Sequence, residues 1–280
     1  MIHPKLALEA LVQLKEKVKS EAPLIHYLTH AIVMNDCANV ILGLGAKPIM
    51  AEHPLEAEEI TSLSKALGVN LGNISDSRMM AIEHSAKVAN ERQIPWCIDL
   101  VGVGCSSLRK DFAKTLIQNY KPHVIKGNMS EIKAISGIES HACGIDVGAL
   151  DEVNEARLLE CAKWLKDLSK RVGAVIVVTG AIDLISTQES TYAIYNGCPL
   201  LAKLTGTGCM LTGMIATYLA EGNALESSLL ATLMMGITGE LSSKAKGNGS
   251  FKVSLLDELY SMEAKTLLEK MRFKLVEGER

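Results

Sequence analysis

The strongest chemical signal in the chain is a glycine-rich segment, LTGTGCMLTG at 204–213, which leads into an apolar helix predicted over 207–220. Gly206 and Gly208 allow a ligand to approach the backbone closely. The unpaired N–H groups and the dipole of a first helical turn attract an anion. The segment therefore fits a phosphate-binding turn. It fits a tight packing turn between helices equally well, because glycine-rich turns before helices are common.

Cys209 lies inside this first helical turn. A helix N-terminus lowers the pKa of a thiol, so the position predicts a Cys209 that is partly ionised near neutral pH. Such a thiolate can act as a general base or as a nucleophile. A nucleophilic role would need a histidine partner, for which the sequence offers no convincing candidate. The alternative is a small buried hydrophobic residue, the commoner role of a lone cysteine.

A second group of polar residues follows three predicted strands. Asp99 and Thr179 end two apolar strands, and Lys126 lies just before a helix that Asn128 can cap and that has Glu131 in its first turn. Ligands bind beyond the carboxyl ends of parallel strands. Asp99 and Glu131 can therefore hold Mg²⁺ directly or through water, while Lys126 neutralises phosphate charge. The same residues also fit a plain helix cap and a turn.

The segments 23–35 and 48–51 mix polar with apolar residues near predicted strand ends and a helix start. That mixture suits a small, largely apolar ligand with a few hydrogen-bonding positions. His26 and His30 belong to the first segment, and a histidine in such a place is more often structural than functional.

Helices and strands alternate along most of the chain. The predicted helices are 5–19, 33–44, 55–67, 77–92 with Asp76 as its cap, 106–119, 129–136, 152–171, 207–220, 224–245 and 254–272. The predicted strands are 24–28, 48–51, 68–71, 94–100, 122–125, 174–178 and the hairpin 182–186 with 191–195. This order predicts an α/β fold with a central, mostly parallel sheet and helices on both faces. Without a linker-like stretch, residues 1–280 are predicted to form one domain, with mobile loops at 141–150 and 247–250.

Composition narrows the class of protein. The 280 residues are 48% hydrophobic and 22% charged, with a net charge of −3, which predicts a globular protein and no nucleic-acid partner. Neither a signal peptide nor an apolar stretch long enough for a membrane span is recognisable. The seven cysteines are irregularly spaced, as expected of free thiols in the cytoplasm.

Taken together, the motifs resemble those of the hydroxyethylthiazole kinase family, in order along nearly the whole chain. The matching segments are PLIH at 23–26, MN at 34–35, AN at 38–39, GAKPIMA at 45–51, DLVGVG at 99–104, GNMSEI at 127–132, VTG at 178–180, NGCP at 196–199 and LTGTGC at 204–209. The resemblance implies a ribokinase-like fold and the ATP- and Mg²⁺-dependent phosphorylation of 4-methyl-5-(2-hydroxyethyl)thiazole, a salvage step of thiamine biosynthesis. It also implies a homotrimer with active sites between subunits.

The resemblance further implies a role for individual residues. Those expected at the heterocyclic alcohol are Met50, Gly206, His30 and Asn35. Those expected at ATP are Lys126, Thr179, Asn128 and Gly208, and those expected at Mg²⁺ are Asp99 and Glu131. Cys209 occupies the position of the catalytic base.

This chain departs from the family pattern at four positions. Tyr27 and His30 stand where the family usually has Asn, Leu100 where it has Pro, and Lys126 where it often has Arg. A kinase for another hydroxyalkyl heterocycle, of the pyrimidine or pyridoxal type, is therefore an open alternative. So is a thiazole- or nucleotide-binding protein with little turnover.

Overall fold

Residues 4–137 and 153–276 are described by the computed structural model, and the predicted loop at 141–150 lies outside them. The strands are β1 (Leu24–Leu28), β2 (Lys47–Ile49), β3 (Ala66–Asn70), β4 (Trp96–Asp99), β5 (Val124–Asn128), β6 (Val175–Thr179), β7 (Asp183–Ser186), β8 (Thr191–Ile194) and β9 (Phe273–Leu275). The helices are α1 (Pro4–Glu21), α2 (Met34–Gly43), α3 (Pro54–Leu63), α4 (Asp76–Glu91), α5 (Ser107–Tyr120), α6 (Met129–Ser136), α7 (Leu158–Val172), α8 (Thr207–Leu219), α9 (Ala224–Leu241), α10 (Asn248–Ser261) and α11 (Ala264–Lys270).

The described strands form one sheet in the order β2-β1-β3-β4-β5-β6-β7-β8-β9. The first six strands in that order run parallel, and β7, β8 and β9 continue the sheet antiparallel. The mostly parallel sheet and the hairpin of β7 and β8 confirm the predicted fold class. The prediction of one domain over residues 1–280 stays a prediction.

Helices cover both faces of the sheet because side chains alternate along each buried strand. On β1, Ile25 and Tyr27 join a core with α1, α2 and α8–α11, whereas Leu28 joins a second core with α3–α7. Apolar side chains on both faces remove the sheet from water, which is the main stabilising term for such a layered fold.

One predicted helix, 55–67, ran too far. The structure ends α3 at Leu63, and the next residues enter β3 at Ala66. Ser64 already has an extended backbone, and Leu67 pairs with His26 on one side and Trp96 on the other. Pairing within the buried sheet therefore decides the conformation of a segment whose apolar residues fit either element.

The end of the chain differs most from prediction. The predicted loop 247–250 instead begins α10, with Gly247 as its extended N-cap, and the predicted helix 254–272 divides into α10, α11 and the approach to β9. β9 was not predicted, since its three residues gain their stability only by pairing with β8. Within the described residues no helix has the length and apolarity that a membrane crossing requires.

Smaller differences concern single element ends. Ser75, rather than Asp76, caps α4 by accepting the N–H of Arg78 at 3.3 Å. α9 ends at Leu241, and α7 begins at Leu158 after a short 3₁₀ turn. β5 extends three residues beyond its predicted end at residue 125, which puts Lys126 on the strand itself.

Candidate active site

Polar residues from neighbouring strands meet at the carboxyl edge of the parallel sheet. Asn70, Asp99 and Lys126 are successive register partners across β3, β4 and β5, and Asn128 is the partner of Thr179 on β6. This shared edge was predicted from the sequence, because parallel strands end on the same side. The edge faces the beginning of α8.

Asp99 is the centre of the hydrogen-bond network at this edge. Its side chain is fully buried, and Oδ2 accepts hydrogen bonds from Thr212 at 2.7 Å, Lys126 at 2.9 Å and Asn70 at 3.4 Å. Oδ1 has no hydrogen-bond partner. A buried carboxylate oxygen without a donor is costly, so the arrangement suits a cation or a donor supplied by a ligand.

Lys126 joins the sheet edge to the first turn of α8. Its Nζ donates to Asp99 and, at 3.0 Å, to the carbonyl of Gly208. Burial lowers the pKa of Lys126, but Asp99, with Cys209 and Glu131 adding to its effect, raises that pKa overall. A Cβ on residue 208 would lie 3.0 Å from this ammonium group, so glycine leaves the room that Lys126 occupies.

The first turn of α8 has no side-chain cap, so its backbone N–H groups are left for another acceptor such as an anion. Gly206 is its N-cap with φ of +94°, a conformation that favours glycine, and no side chain caps the helix. The first internal bond runs from the N–H of Met210 to the carbonyl of Gly206 at 2.8 Å. The N–H groups of residues 207–209 come before Met210 and therefore have no acceptor within the helix. They are the donors that a helix N-terminus offers to a ligand.

Cys209 does not have the pKa that its position in the helix predicted. Its thiol is buried, and burial, with Asp99 adding to the effect, raises its pKa to about 11. The prediction of a partly ionised thiol was therefore wrong, because desolvation outweighs the helix dipole. The expected lack of a histidine partner was also wrong: His30 Nε2 lies 3.8 Å from Cys209 Sγ.

Tyr27 of β1 holds the first turn of α8 in place. Its hydroxyl donates to the carbonyl of Cys209 at 2.7 Å, and the side chain is fully buried. The ring passes between two glycines: a Cβ on Gly68 would lie 2.7 Å from it, and one on Gly213 would lie 3.2 Å from it. Tyr27, one of the four departures from the family pattern, therefore positions the backbone of the α8 turn.

Glu131 braces two backbone segments. Asn128 and Glu131 form the predicted capping box, in which the N–H of Asn128 donates to Oε2 at 2.8 Å. Oε1 accepts the N–H of Gly102 at 2.9 Å, which ties the turn after β4 to α6. Burial and the nearby Asp99 raise the pKa of Glu131 to about 7, against the two backbone bonds.

The predicted ligand residues on the β1–β2 side are only partly brought together. Val33 packs against Gly206, and Met50 is half-buried against the first core. Asn35 is exposed, and its side-chain oxygen accepts from Asn39 one turn along α2 at 3.1 Å. No described contact links it to Cys209.

His26 has the structural role that the sequence favoured. Its Nδ1 and Nε2 lie 2.8 Å from the Thr61 hydroxyl and 2.8 Å from the carbonyl of Ala51. Both ring nitrogens are thus used to join β1 to α3 and to the segment after β2.

Thr212 and Asn70 were not predicted as site residues. Thr212 lies four residues after Gly208 and therefore on the same face of α8, a spacing that identifies it once the helix is known. Asn70 ends β3 as Asp99 ends β4, so the sheet edge identifies it. Both were missed because the sequence gives neither the strand order nor the face of α8 that meets the sheet.

A metal centre built from several protein side chains is not present in the described ranges. Within residues 4–137 and 153–276, no three His, Cys, Asp or Glu side chains come together as ligands. The predicted metal residues Asp99 and Glu131 both belong to the site, but Glu131 already accepts two backbone N–H groups.

The sheet with its flanking helices is a ribokinase-like fold. The arrangement resembles, in fold alone, a ribokinase-like superfamily protein from Enterococcus faecalis, at a TM-score of 0.63 and 13% identity over 89% of each chain. Residues 15–265 match the model of the "Hydroxyethylthiazole kinase family". The chain belongs to that family.

Two relatives span almost the whole chain. "Hydroxyethylthiazole kinase 2" of Clostridium botulinum strain 657 is 55% identical over 261 residues, which are 93% of this chain and 98% of the relative. The structure of a hydroxyethylthiazole kinase protein from Pyrococcus horikoshii superposes at a TM-score of 0.86 and 30% identity, covering 96% of this chain and 100% of its own. The predicted family is confirmed.

Proposed function

We propose that this protein transfers the γ-phosphoryl group of ATP to the hydroxyl of 4-methyl-5-(2-hydroxyethyl)thiazole, a salvage step of thiamine biosynthesis. The observation that carries the proposal is the uncapped glycine turn of α8, which includes the Cys209 thiol and lies beside the Lys126 ammonium. Family membership supports the thiazole alcohol as the acceptor.

The terminal phosphate of ATP binds at this turn. The N–H groups of residues 207–209 point out of the helix, and Lys126 adds a full positive charge next to Gly208. Phosphoryl transfer is accelerated mainly by positioning and by stabilisation of developing charge, and these groups supply both. Thr179 and Asn128, at the ends of β6 and β5, lie on the same edge and hold the nucleotide.

The residues at the sheet edge fit Mg²⁺ bound with the nucleotide. Mg²⁺ takes oxygen ligands and commonly combines one or two carboxylates with water and phosphate oxygens. Asp99 Oδ1 is a buried carboxylate oxygen without a donor, and Glu131 lies close enough for the two charges to affect each other. When bound, Mg²⁺ neutralises charge on the phosphates.

The acceptor alcohol lies between the α8 turn and the segments after β1 and β2. Gly206, Met50 and His30 contribute surface there, and the exposed Asn35 contributes from α2. Cys209 is the acceptor of the hydroxyl proton. Because its thiol is protonated at neutral pH, it takes that proton only after its own proton has moved.

The proposal extends to a homotrimer in the cytoplasm. The family resemblance supports the trimer, and the exposed position of Asn35 on α2 agrees with a pocket that a neighbouring subunit completes. The six cysteines of the described ranges are free thiols, which agrees with a reducing compartment.

A coupled assay for ADP release tests the function. Purified protein with Mg-ATP and the thiazole alcohol is expected to release ADP and to form the phosphorylated thiazole, seen by mass spectrometry. Hydroxymethylpyrimidine and pyridoxal serve as competing acceptors. If either of them is turned over faster than the thiazole alcohol, that compound is the substrate. If calorimetry shows that the thiazole alcohol binds but no ADP is released, the protein binds thiazole without acting as a kinase.

A further inference from the structure

The imidazole of His30 is pressed against the thiol of Cys209. Nε2 lies 3.8 Å from Sγ, across 179 residues of sequence. The Cδ2–Nε2 edge of the ring also meets Gly72, where a Cβ would lie 2.6 Å from Cδ2 and 2.8 Å from Nε2. Glycine at position 72 therefore leaves the space that this edge of the ring occupies.

The turn that holds the ring is built rigidly. The N–H of Gly72 donates to Asn70 Oδ1 at 2.7 Å. Arg78, a buried side chain of α4, donates to the carbonyls of Gly72 at 2.6 Å, Asn73 at 2.9 Å and Asn70 at 3.0 Å. A planar guanidinium with three backbone acceptors fixes the turn in one conformation.

The charges around His30 keep its ring neutral. Burial lowers its pKa first, Arg78 of α4 and Arg109 of α5 lower it further, and Asp99 of β4 opposes them. The ring is buried, and its Nδ1 has no hydrogen-bond partner. A neutral imidazole has one nitrogen with a lone pair, which can accept a proton from a neighbouring thiol.

We propose that His30 is the proton-transfer partner of Cys209. The thiol proton moves from Sγ to Nε2, and the resulting thiolate then takes the hydroxyl proton of the acceptor alcohol as its oxygen bonds to the γ-phosphorus. The bond between the γ-phosphorus and the bridging oxygen breaks, and its electron pair leaves with ADP. Cys209 ends as a thiol and His30 carries one extra proton, which it returns to solvent when the product leaves.

The phosphoryl step rests on the proposed function, but the thiol–imidazole pair exists without substrate. The test therefore measures alkylation of Cys209 by iodoacetamide in the substrate-free protein, followed by peptide mass spectrometry from pH 6 to 10. In His30→Phe a ring fills the same space without a nitrogen. We expect the Cys209 rate near neutral pH to fall about tenfold or more and its inflection from the imidazole to disappear. His30→Asn gives the same test should the Phe variant fail to fold.

A second comparison examines the contact itself. Gly72→Ala adds a Cβ too close to Cδ2 and Nε2 of His30, so the ring must shift and its contact with Sγ must change, which should slow alkylation several-fold. In a His30→Ala background the same change has room and should alter the rate less than about twofold, because residues that act through one contact are non-additive. The buried Cys37 is the internal control for general loosening.

Two results would overturn the inference. One is an unchanged rate and pH profile for Cys209 in both His30→Phe and His30→Asn. The other is an equal effect of Gly72→Ala with and without His30. The His30 variants could lose Cys209 reactivity as expected while the wild-type protein fails to turn over the thiazole alcohol. That result would support the His30–Cys209 pair and count against the proposed function alone.

Discussion

Lys126 and Asp99 form a buried ion pair across the ends of β5 and β4, with 2.9 Å between Nζ and Oδ2. The side chain of Lys126 is 4% exposed and that of Asp99 is 0% exposed, so neither charge has water as an alternative partner. Because Nζ also holds the carbonyl of Gly208, the charge at the sheet edge and the geometry of the α8 turn depend on each other.

Replacing Lys126 by Met removes the cation and leaves Asp99 buried without it. We expect kcat/KM for ATP to fall by about 10²–10³-fold, as when one preorganised electrostatic group is lost. The free energy of unfolding should fall by about 3–5 kcal/mol. Steady-state kinetics and urea unfolding measure the two effects. Lys126→Arg keeps the charge and should retain most activity, whereas full activity in Lys126→Met would leave Lys126 a purely structural residue.

Gly208→Ala tests the open turn of α8. The added Cβ would lie 3.0 Å from Lys126 Nζ and narrow the approach to the backbone N–H groups. The expected result is a rise in KM for ATP of about tenfold, equal to ~1.4 kcal/mol of binding free energy. Gly249→Ala in α10 is the matched control, since its Cβ meets nothing within 4 Å and alanine favours the helix. Equal KM values in the two variants would contradict a phosphate site at this turn.

Thr212→Val removes one donor to Asp99 Oδ2 without changing the shape of the side chain. We expect kcat/KM to fall several-fold while the free energy of unfolding falls by only about 1 kcal/mol. The control is Thr217→Val on the same helix, because Thr217 is buried and donates at 2.8 Å to the carbonyl of Gly213 alone. An identical loss of activity in both variants would mean that the change acts through helix stability.

Glu131 should make stability depend on pH. Its pKa is raised from 4.5 to about 7, so the folded protein binds more protons than the unfolded chain between those values. This group therefore stabilises most below pH 4.5, and that contribution is lost as the pH rises through 7, at up to about 1.4 kcal/mol per pKa unit. Urea unfolding in EDTA at pH 5, 6, 7 and 8 should show a smaller decline for Glu131→Gln than for wild type. Parallel slopes would contradict the raised pKa.

Local sequence patterns predicted the local parts of the site. The cap of α6 was predicted because Asn128 and Glu131 are three residues apart and interact within one helical turn. The common edge for Asp99, Lys126 and Thr179 followed from strands that end in the same direction. The first inference needed only residue types within one helical turn, and the second needed only the alternation of helices and strands.

Contacts between distant segments were beyond such patterns. The approach of His30 to Cys209 depends on where α8 lies on the sheet, and the raised pKa of that thiol depends on its burial. The clamp that Arg78 makes on the turn after β3 gave no signal, since an arginine in a helix is usually solvent-exposed. Short elements such as β9 were missed because they have no sequence pattern of their own. Pairing with the neighbouring strand β8 determines β9.

The Tyr27 ring packs between Gly68 and Gly213, so the residue types allowed at these three positions, on β1, β3 and α8, depend on one another. A side chain at position 68 would lie 2.7 Å from the ring and requires the residue at 27 to shift or shrink, and one at position 213 would lie 3.2 Å from it and requires a smaller adjustment. A smaller residue at 27 alone leaves a void beside the α8 turn. These positions are therefore expected to vary together among relatives. Exchanging Tyr27 for the residue of a relative is therefore expected to cost least stability when positions 68 and 213 are exchanged with it.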